Sequence, residues 1–508
     1  MRRLSAYRGL VSLLASAGLL AGCAVGPDYQ RPDVNAPTQF RSENAQAADG
    51  KALGSVTTTD AWWEGFEDPV LDALVEEGLR NNRDLQSAIA RVRKARGQLI
   101  KTRGQFFPQV DYYGAGERGK FMGLDQTVVT NTPGSLTSIG TLAATATWQL
   151  DVFGGLRRQY EAAAANQAAA IATRQAIALS VAGEVVSIYV TLRSLDQQLA
   201  VARQTLENYK TTLRIFDLRF RYGTANMVQV SQIQSQVDAA EAAIPPLVQA
   251  IGEQENNLNF VLGRNPGPVP RGKPISQLSL PTPPAGLPSD LLERRPDVRL
   301  AEQQLIGLNA QIGAVKAQFF PNISLTGTMG TSTASGMGGI FTGTSSIWDA
   351  GLIAIGPLFR GGELYGQYMG AKAEQQAAMT QYLKSVEGAF RDTDSALIAN
   401  TETRKLVAAR QQQVGTLKTY ANLSSMQFNY GYTDYLTVLN AEDSLFKAQL
   451  DLARSQAERA LSQVSLYMAL GGGWEAADQK TMTANQAIAT GDDPRNPVNQ
   501  QGIWPFNF

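Results

Sequence analysis

The chain has 508 residues, enough for several domains, and its 45 basic and 45 acidic residues balance. That neutrality leaves no electrostatic footprint for nucleic acid. Histidine is absent, which removes the usual general base at neutral pH and the commonest metal ligand, and argues against most hydrolase and metalloenzyme chemistry.

Residues 1–22 read as a secretory signal peptide. Arg2, Arg3 and Arg8 lead into an apolar run from Leu10 to Leu20 that is short for a membrane span. The only cysteine, Cys23, comes next and has no disulfide partner. Leu20-Ala21-Gly22-Cys23 resembles the bacterial lipobox, which implies cleavage before Cys23 and a covalent lipid there; no other cofactor is expected. A plain signal peptide with an incidental cysteine is the alternative. Residues 23–60, with Pro27, Pro32 and Pro37, read as an extended lipid-anchored segment. Trp62, Trp63 and Phe66 are expected to anchor a core.

A helix pattern from about Val70 to Gln105 ends at Phe106-Phe107-Pro108, because proline lacks an N–H and biases its predecessor away from helix. Strand-like segments follow near Gln109–Arg118 and Thr141–Asp151. The alternation Leu142, Ala144, Ala146, Trp148, Leu150 is the clearest of them. After Phe153-Gly154-Gly155 comes a long alanine-rich helix, then a heptad run Leu195, Leu199, Ala202, Leu206, Tyr209, Leu213, Phe216, Phe220. Tyr222-Gly223 should end a helix, glycine supplying the left-handed cap. Pro245-Pro246 should break the helix after it, whereas Ala453-Arg454 at the corresponding place should not. No further segment reads as a membrane-length apolar helix.

The pattern then repeats. Leu291 to Leu325 is again helix, Phe319-Phe320-Pro321, strand, and the two FFP marks at 106 and 319 lie 213 residues apart. Tyr222-Gly223 is answered by Tyr430-Gly431, 208 residues on. Two landmarks at nearly one offset imply a tandem duplication, with repeats over 61–263 and 291–471, a proline-rich linker over 264–290 and a tail over 472–508. The second repeat supplies strands near Asn322–Thr333 and Ser346–Pro357. Four strands of about ten residues suit a tilted membrane crossing but cannot close a barrel, the smallest having about eight, so several chains must pool them. The loops at 119–140 and 334–345 would face outward.

The run LERRPDVRLAEQQLIGLNAQIGAVKAQFFP resembles the outer-membrane factor family, the TolC-like efflux ducts, and within it the OprM/NodT-type lipoproteins. AVGPDYQRPDV after Cys23, AAIPPLVQAI at 242–251 and IGPLFRGGELYGQ at 355–367 match as well. The resemblance implies a mainly α protein with a small β part. Its homotrimer would form a twelve-stranded outer-membrane β-barrel that continues into a long α-helical periplasmic barrel with an equatorial region. Its implied partners are a periplasmic adaptor and an inner-membrane RND-type transporter, and its task the passive exit of drugs or small solutes. It implies no enzymatic activity. A duct for type I protein secretion, and a periplasmic coiled-coil scaffold lipoprotein, remain alternatives.

The fold so resembled places helix turns at Arg193-Ser194-Leu195 and Ala399-Asn400-Thr401, at the periplasmic tip. The polar residues around them are the candidate gate: Tyr189, Arg193, Asp196, Arg391, Asp392, Asp394, Glu402 and Arg404. A ring of such carboxylates would focus a negative field and favour cations; the alternative is plain surface charge. The same resemblance puts Tyr222-Gly223 and Tyr430-Gly431 in the equatorial region.

Overall fold

The computed structural model describes residues 24–34, 61–120, 136–280, 291–333 and 345–472. Cys23, the signal peptide, most of both strand-joining loops and the tail lie outside the described residues.

The helix expected over 70–105 is two helices, α1 (Pro69–Asn81) and α2 (Arg83–Gly104). Asn82 separates them. Its side-chain oxygen accepts from the N–H groups of Asp84 and Leu85, capping α2, while its amide donates to the carbonyl of Val261. Strands β1 (Gln109–Lys120) and β2 (Leu136–Leu150) precede α3 (Gly155–Arg221); α4 (Met227–Ala242) and α5 (Ile244–Val261) return. The second repeat gives α6 (Leu291–Arg294), α7 (Pro296–Ala317), β3 (Asn322–Thr333), β4 (Ser345–Ile355), α8 (Glu363–Asn429) and α9 (Tyr435–Ala469). The α4–α5 break falls at the predicted prolines, and α9 runs unbroken through Ala453-Arg454.

The two long helices correct the expected turns. Both α3 and α8 contain 67 residues without interruption, so neither Arg193-Ser194-Leu195 nor Ala399-Asn400-Thr401 is a turn. At 1.5 Å per residue each is roughly 100 Å long. The polar residues at these two places bond between helices instead. Ser194 donates to the carbonyl of Ala453, and the Asn400 amide donates to Gln463. Helix α3 also contains a stretch apolar enough by composition to cross a membrane, which the sequence pattern missed. Most of that stretch is buried inside the chain.

Glycines punctuate both repeats at one offset. Gly154 and Gly362 precede the long helices, Gly223 and Gly431 end them, and Gly263 and Gly471 end the return helices. All six have positive φ, from 67° to 90°, and members of each pair lie 208 residues apart. The FFP marks differ by 213, so the extra five residues lie between FFP and the long helix, in the first strand pair and its loop.

The chain forms two compact units, each drawn from both repeats. One comprises Met1–Asp33, Arg91–Ala170 and Leu300–Leu383, and it holds the antiparallel sheet in the order β1-β2-β3-β4. The other comprises Val34–Ala90, Ile171–Arg299 and Lys384–Phe508. Its core forms around Trp62, Trp63 and Phe66, as the sequence implied, packed with Val185, Leu192 and Val464; Trp62 stacks on Tyr467 at 5.2 Å. Trp63 is fully buried. Trp63→Ala should therefore cost about 3–5 kcal/mol, read as a lowered midpoint when thermal unfolding of the detergent-extracted protein is followed by circular dichroism.

Candidate functional site

The sheet sorts its residues by face. Register pairs Tyr112 with Ala144, Ala144 with Met329 and Met329 with Trp348; two steps along, Trp148, Leu325 and Leu352 line up. Directly opposed residues share a face, so these rows make one apolar surface. The intervening row is Asp111, Thr145, Thr328 and Asp349, and the other surface is mostly polar, with Tyr113, Ile347 and Ile353 among its apolar residues. Tyr112, Met329 and Trp348 are 90%, 76% and 79% exposed in the single chain. Apolar on one side, polar on the other, with β1 and β4 as unpaired edges, the sheet has the pattern of part of a membrane barrel.

In the second unit, both long helices end in the same way. The N–H of Thr224 donates to the carbonyl of Arg219 at 2.8 Å and that of Gly223 to Phe220 at 3.0 Å; Tyr432 to Gln427 (2.9 Å) and Gly431 to Phe428 (3.0 Å) repeat the arrangement. Asn226 then caps α4 through Gln229, and Asp434 caps α9 through Thr437. Helix caps were expected at Tyr222-Gly223 and Tyr430-Gly431, in an equatorial region; the caps are present, at the C-terminal ends of α3 and α8. Behind the turns Phe216, Phe428 and Tyr435 pack with centroids 4.4–5.9 Å apart, and the Arg219 guanidinium lies 5.4 Å and 5.6 Å from the Phe216 and Phe428 rings. Tyr222, Tyr430 and Tyr432 project into the open, 82%, 75% and 83% exposed.

The residues expected at a tip sit partway along the long helices. Tyr189 is fully buried; its hydroxyl donates to Asp68 at 2.7 Å and accepts from the N–H of Gly272 at 2.8 Å. Burial and the Asp68 carboxylate push its pKa up. A side chain at Gly272 would displace the Asp68 carboxylate. Arg193 bonds Asp196 at 2.6 Å and the carbonyl of Lys273 at 3.0 Å. Arg271 then bridges Asp196 (2.9 Å) and Glu255 (2.7 Å). Burial pulls the Arg271 guanidinium down and those hydrogen bonds more than offset it. This group fastens the segment after α5 to α3, a role for Asp68, Glu255 and Arg271 that sequence spacing did not reveal.

In the second repeat, Asp392 accepts from its neighbour Arg391 at 2.6 Å and lies 3.5 Å from Arg295. Arg295 is the residue missed. It is buried, donates to the carbonyl of Ala469 at 3.0 Å and pairs with Asp297 at 2.7 Å, beside a cavity of about 570 Å³. The signal was in the RRPD run itself, two arginines just before an α7 whose first turn holds an aspartate. Glu402 pairs with Lys405 one turn on, at an exposed site. Arg404 lies near Arg459, whose pKa is lowered by burial and then by that charge. Asp394 is engaged elsewhere. The structure thus joins Tyr189, Arg193 and Asp196 in one region and Arg391 with Asp392 in another, and makes no single cluster of the eight.

This architecture is that of an outer-membrane channel subunit. The sequence pattern described as Outer membrane efflux protein matches residues 74–264 and 287–472, one segment per repeat. The solvent efflux pump outer membrane protein SrpC of Pseudomonas putida is 32% identical over 460 residues, covering 90% of this chain and 97% of SrpC. The cation efflux system protein CusC of Escherichia coli is 31% identical over 461 residues, covering 90% and 97%. Among solved structures, the outer-membrane channel OprN superposes with a TM-score of 0.80 at 29% identity, covering 89% of this chain and all of that one. The chain belongs to the outer membrane efflux protein family. It is an outer-membrane component of an efflux system.

Asp297 supplies a pH test. Burial raises its pKa and the Arg295 hydrogen bond and charge outweigh that, holding it below the usual carboxylate range. Its contribution to stability is therefore complete above the range of a free carboxylate and is lost as pH falls through the lower folded value. Arg295→Met should cost about 1–3 kcal/mol at neutral pH and flatten the fall in melting temperature between pH 6 and pH 3, about the range over which carboxylates titrate.

Proposed function

We propose that three copies of this chain form the passive exit duct of a tripartite pump, fed by a periplasmic adaptor and an inner-membrane RND-type transporter. The observation that carries it is the two-faced sheet with two open edges. In hydrocarbon each unpaired backbone N–H or C=O is costly, so β1 of one copy must meet β4 of another until the ring closes. Twelve strands suffice where four do not. The names of the relatives support solvents, antibiotics or metal cations as the class of cargo. The energy comes from the transporter, because the chain carries no nucleotide-binding motif.

Cys23 carries the lipid, on the strength of the Leu20-Ala21-Gly22-Cys23 run. Gating is assigned to the ends of α3 and α8. There the Phe216–Phe428–Tyr435 cluster holds the two repeats together and the exposed tyrosines face whatever the duct docks against.

The oligomer is tested by native mass spectrometry of detergent-extracted protein: the mass should be three times that of the chain, and a monomer in lipid would end this reading. The faces are tested as a pair. Met329→Arg, on the apolar face, should cost about 2–4 kcal/mol of barrel stability near the bilayer midplane and deplete the protein from the outer membrane. Thr328→Arg, one residue away on the polar face, should assemble normally and lower cation preference in planar bilayers.

A further inference from the structure

Residues 24–31 are not a loose tether. The N–H of Val25 donates to the carbonyl of Phe153 at 3.1 Å, and the carbonyl of Pro27 accepts from the Asn309 amide at 3.0 Å. Asp28 pairs with Arg158 at 2.6 Å. Tyr29 donates to Glu302 at 3.1 Å, and Arg31 grips the same carboxylate with two hydrogen bonds of 2.6 Å. Contacts at Gly313, Asn309 and Glu302 follow one another up α7, so the segment runs antiparallel to that helix. From Gly26 to Arg31 an extended chain spans roughly 17 Å, about the rise of the eleven helical steps from 302 to 313.

Two features make this a built seat. Glycines clear its path: a Cβ at Gly26 (φ +113°) would meet the Cα of Gly313 at 2.5 Å, and one at Gly154 would meet the Cα of Ala24 at 2.7 Å. Glu302 is the other. It is only 7% exposed, and the hydroxyl and guanidinium that satisfy it both come from the segment. A buried carboxylate stripped of its cation is a large penalty, so α7 carries a residue whose burial makes sense only with the strap in place.

We infer that residues 24–31 are a rigid strap that fixes the lipid-bearing Cys23 at the root of β2, with Glu302 as its positioning residue, so that the acyl chains enter the leaflet beside the strand ends. Ala24, one peptide bond after Cys23, touches Gly154, four residues past the end of β2 at Leu150. The partner surface is lipid, and the inference rests on the acylation of Cys23 proposed above. A tether of free residues would let the anchor wander; the strap makes anchor and sheet move together.

The test uses the full-length chain in Gram-negative cells and reads palmitate incorporation and the unheated oligomer from one membrane fraction. Glu302→Gln, and Gly313→Val, which blocks the seat against the Val25 carbonyl and the Arg158 stem while removing no charge, are compared in two backgrounds: the lipidated protein, and an unlipidated form with Cys23→Ser behind a leader cut by the general signal peptidase. Both variants should take up palmitate as the parent does. Both should fall to the oligomer level of the unlipidated parent, with no further loss in the unlipidated background, because anchor and strap act in series. The swap of Arg31→Glu with Glu302→Arg should restore most of the oligomer. Equal losses in both backgrounds would reduce the strap to ordinary packing and overturn the inference, as would undiminished oligomer in the lipidated variants. A parent that takes up no palmitate would instead remove the acylation on which the inference rests.

Discussion

Backbone hydrogen bonds that have no partner are the constraint from which the rest follows. The sheet has four strands joined as three antiparallel pairs, and the outer sides of β1 and β4 have no partner strand among the described residues, so each leaves a row of N–H and C=O groups unmet. In water such an edge is a liability; in hydrocarbon it is prohibitive. The apolar face from Tyr112 through Met329 to Trp348 shows which medium the sheet is built for. Membership of a family of outer-membrane channels and the open edges are therefore one fact seen twice.

The helices answer a different demand. Each long helix leaves the sheet through a positive-φ glycine and ends 67 residues later at another, and that length is identical in the two repeats although the strand segments differ by five residues. A loop can absorb an insertion at little cost. A helix that must keep its packed face in register along a neighbour cannot, because one added residue turns every later side chain by about 100°. The insertion accordingly sits in the strand segment, and the 208-residue offset holds through all three glycine pairs after it.

Much of this was legible in the chain. The FFP stops, the strand positions, the tryptophan-rich core and the glycine caps at 223 and 431 all follow from local chemistry that tertiary structure leaves alone. The turns expected at 193–195 and 399–401 do not, and the reason is instructive. The resemblance put turns at Ser194 and Asn400; in the fold both lie within a helix and are rungs to the next, Ser194 to Ala453 and Asn400 to Gln463, with Arg454 to Gln198 beside them. A polar residue inside a helix bundle and one at a helix end carry the same letter. What separates them is the partner, and the partner is 259 residues away for Ser194 and 256 for Gln198. Asp68, Arg271 and Arg295 were missed for the same reason.

Duplication also explains why the two halves are not chemically alike. At the end of α3 stands Arg219, whose guanidinium lies within 6 Å or so of aromatic rings from both repeats, Phe216 and Phe428. Its counterpart 208 residues on is Gln427, whose backbone keeps the cap. One cation thus contacts rings at both helix ends. The same division recurs along the long helices. Arg193 and Asp196 on α3 tie down the segment after α5, while the corresponding positions on α8 carry Thr401 and Arg404, and the second repeat secures its own return helix through Arg295 and the carbonyl of Ala469. Two repeats with one backbone plan thus hold their ends by different bonds.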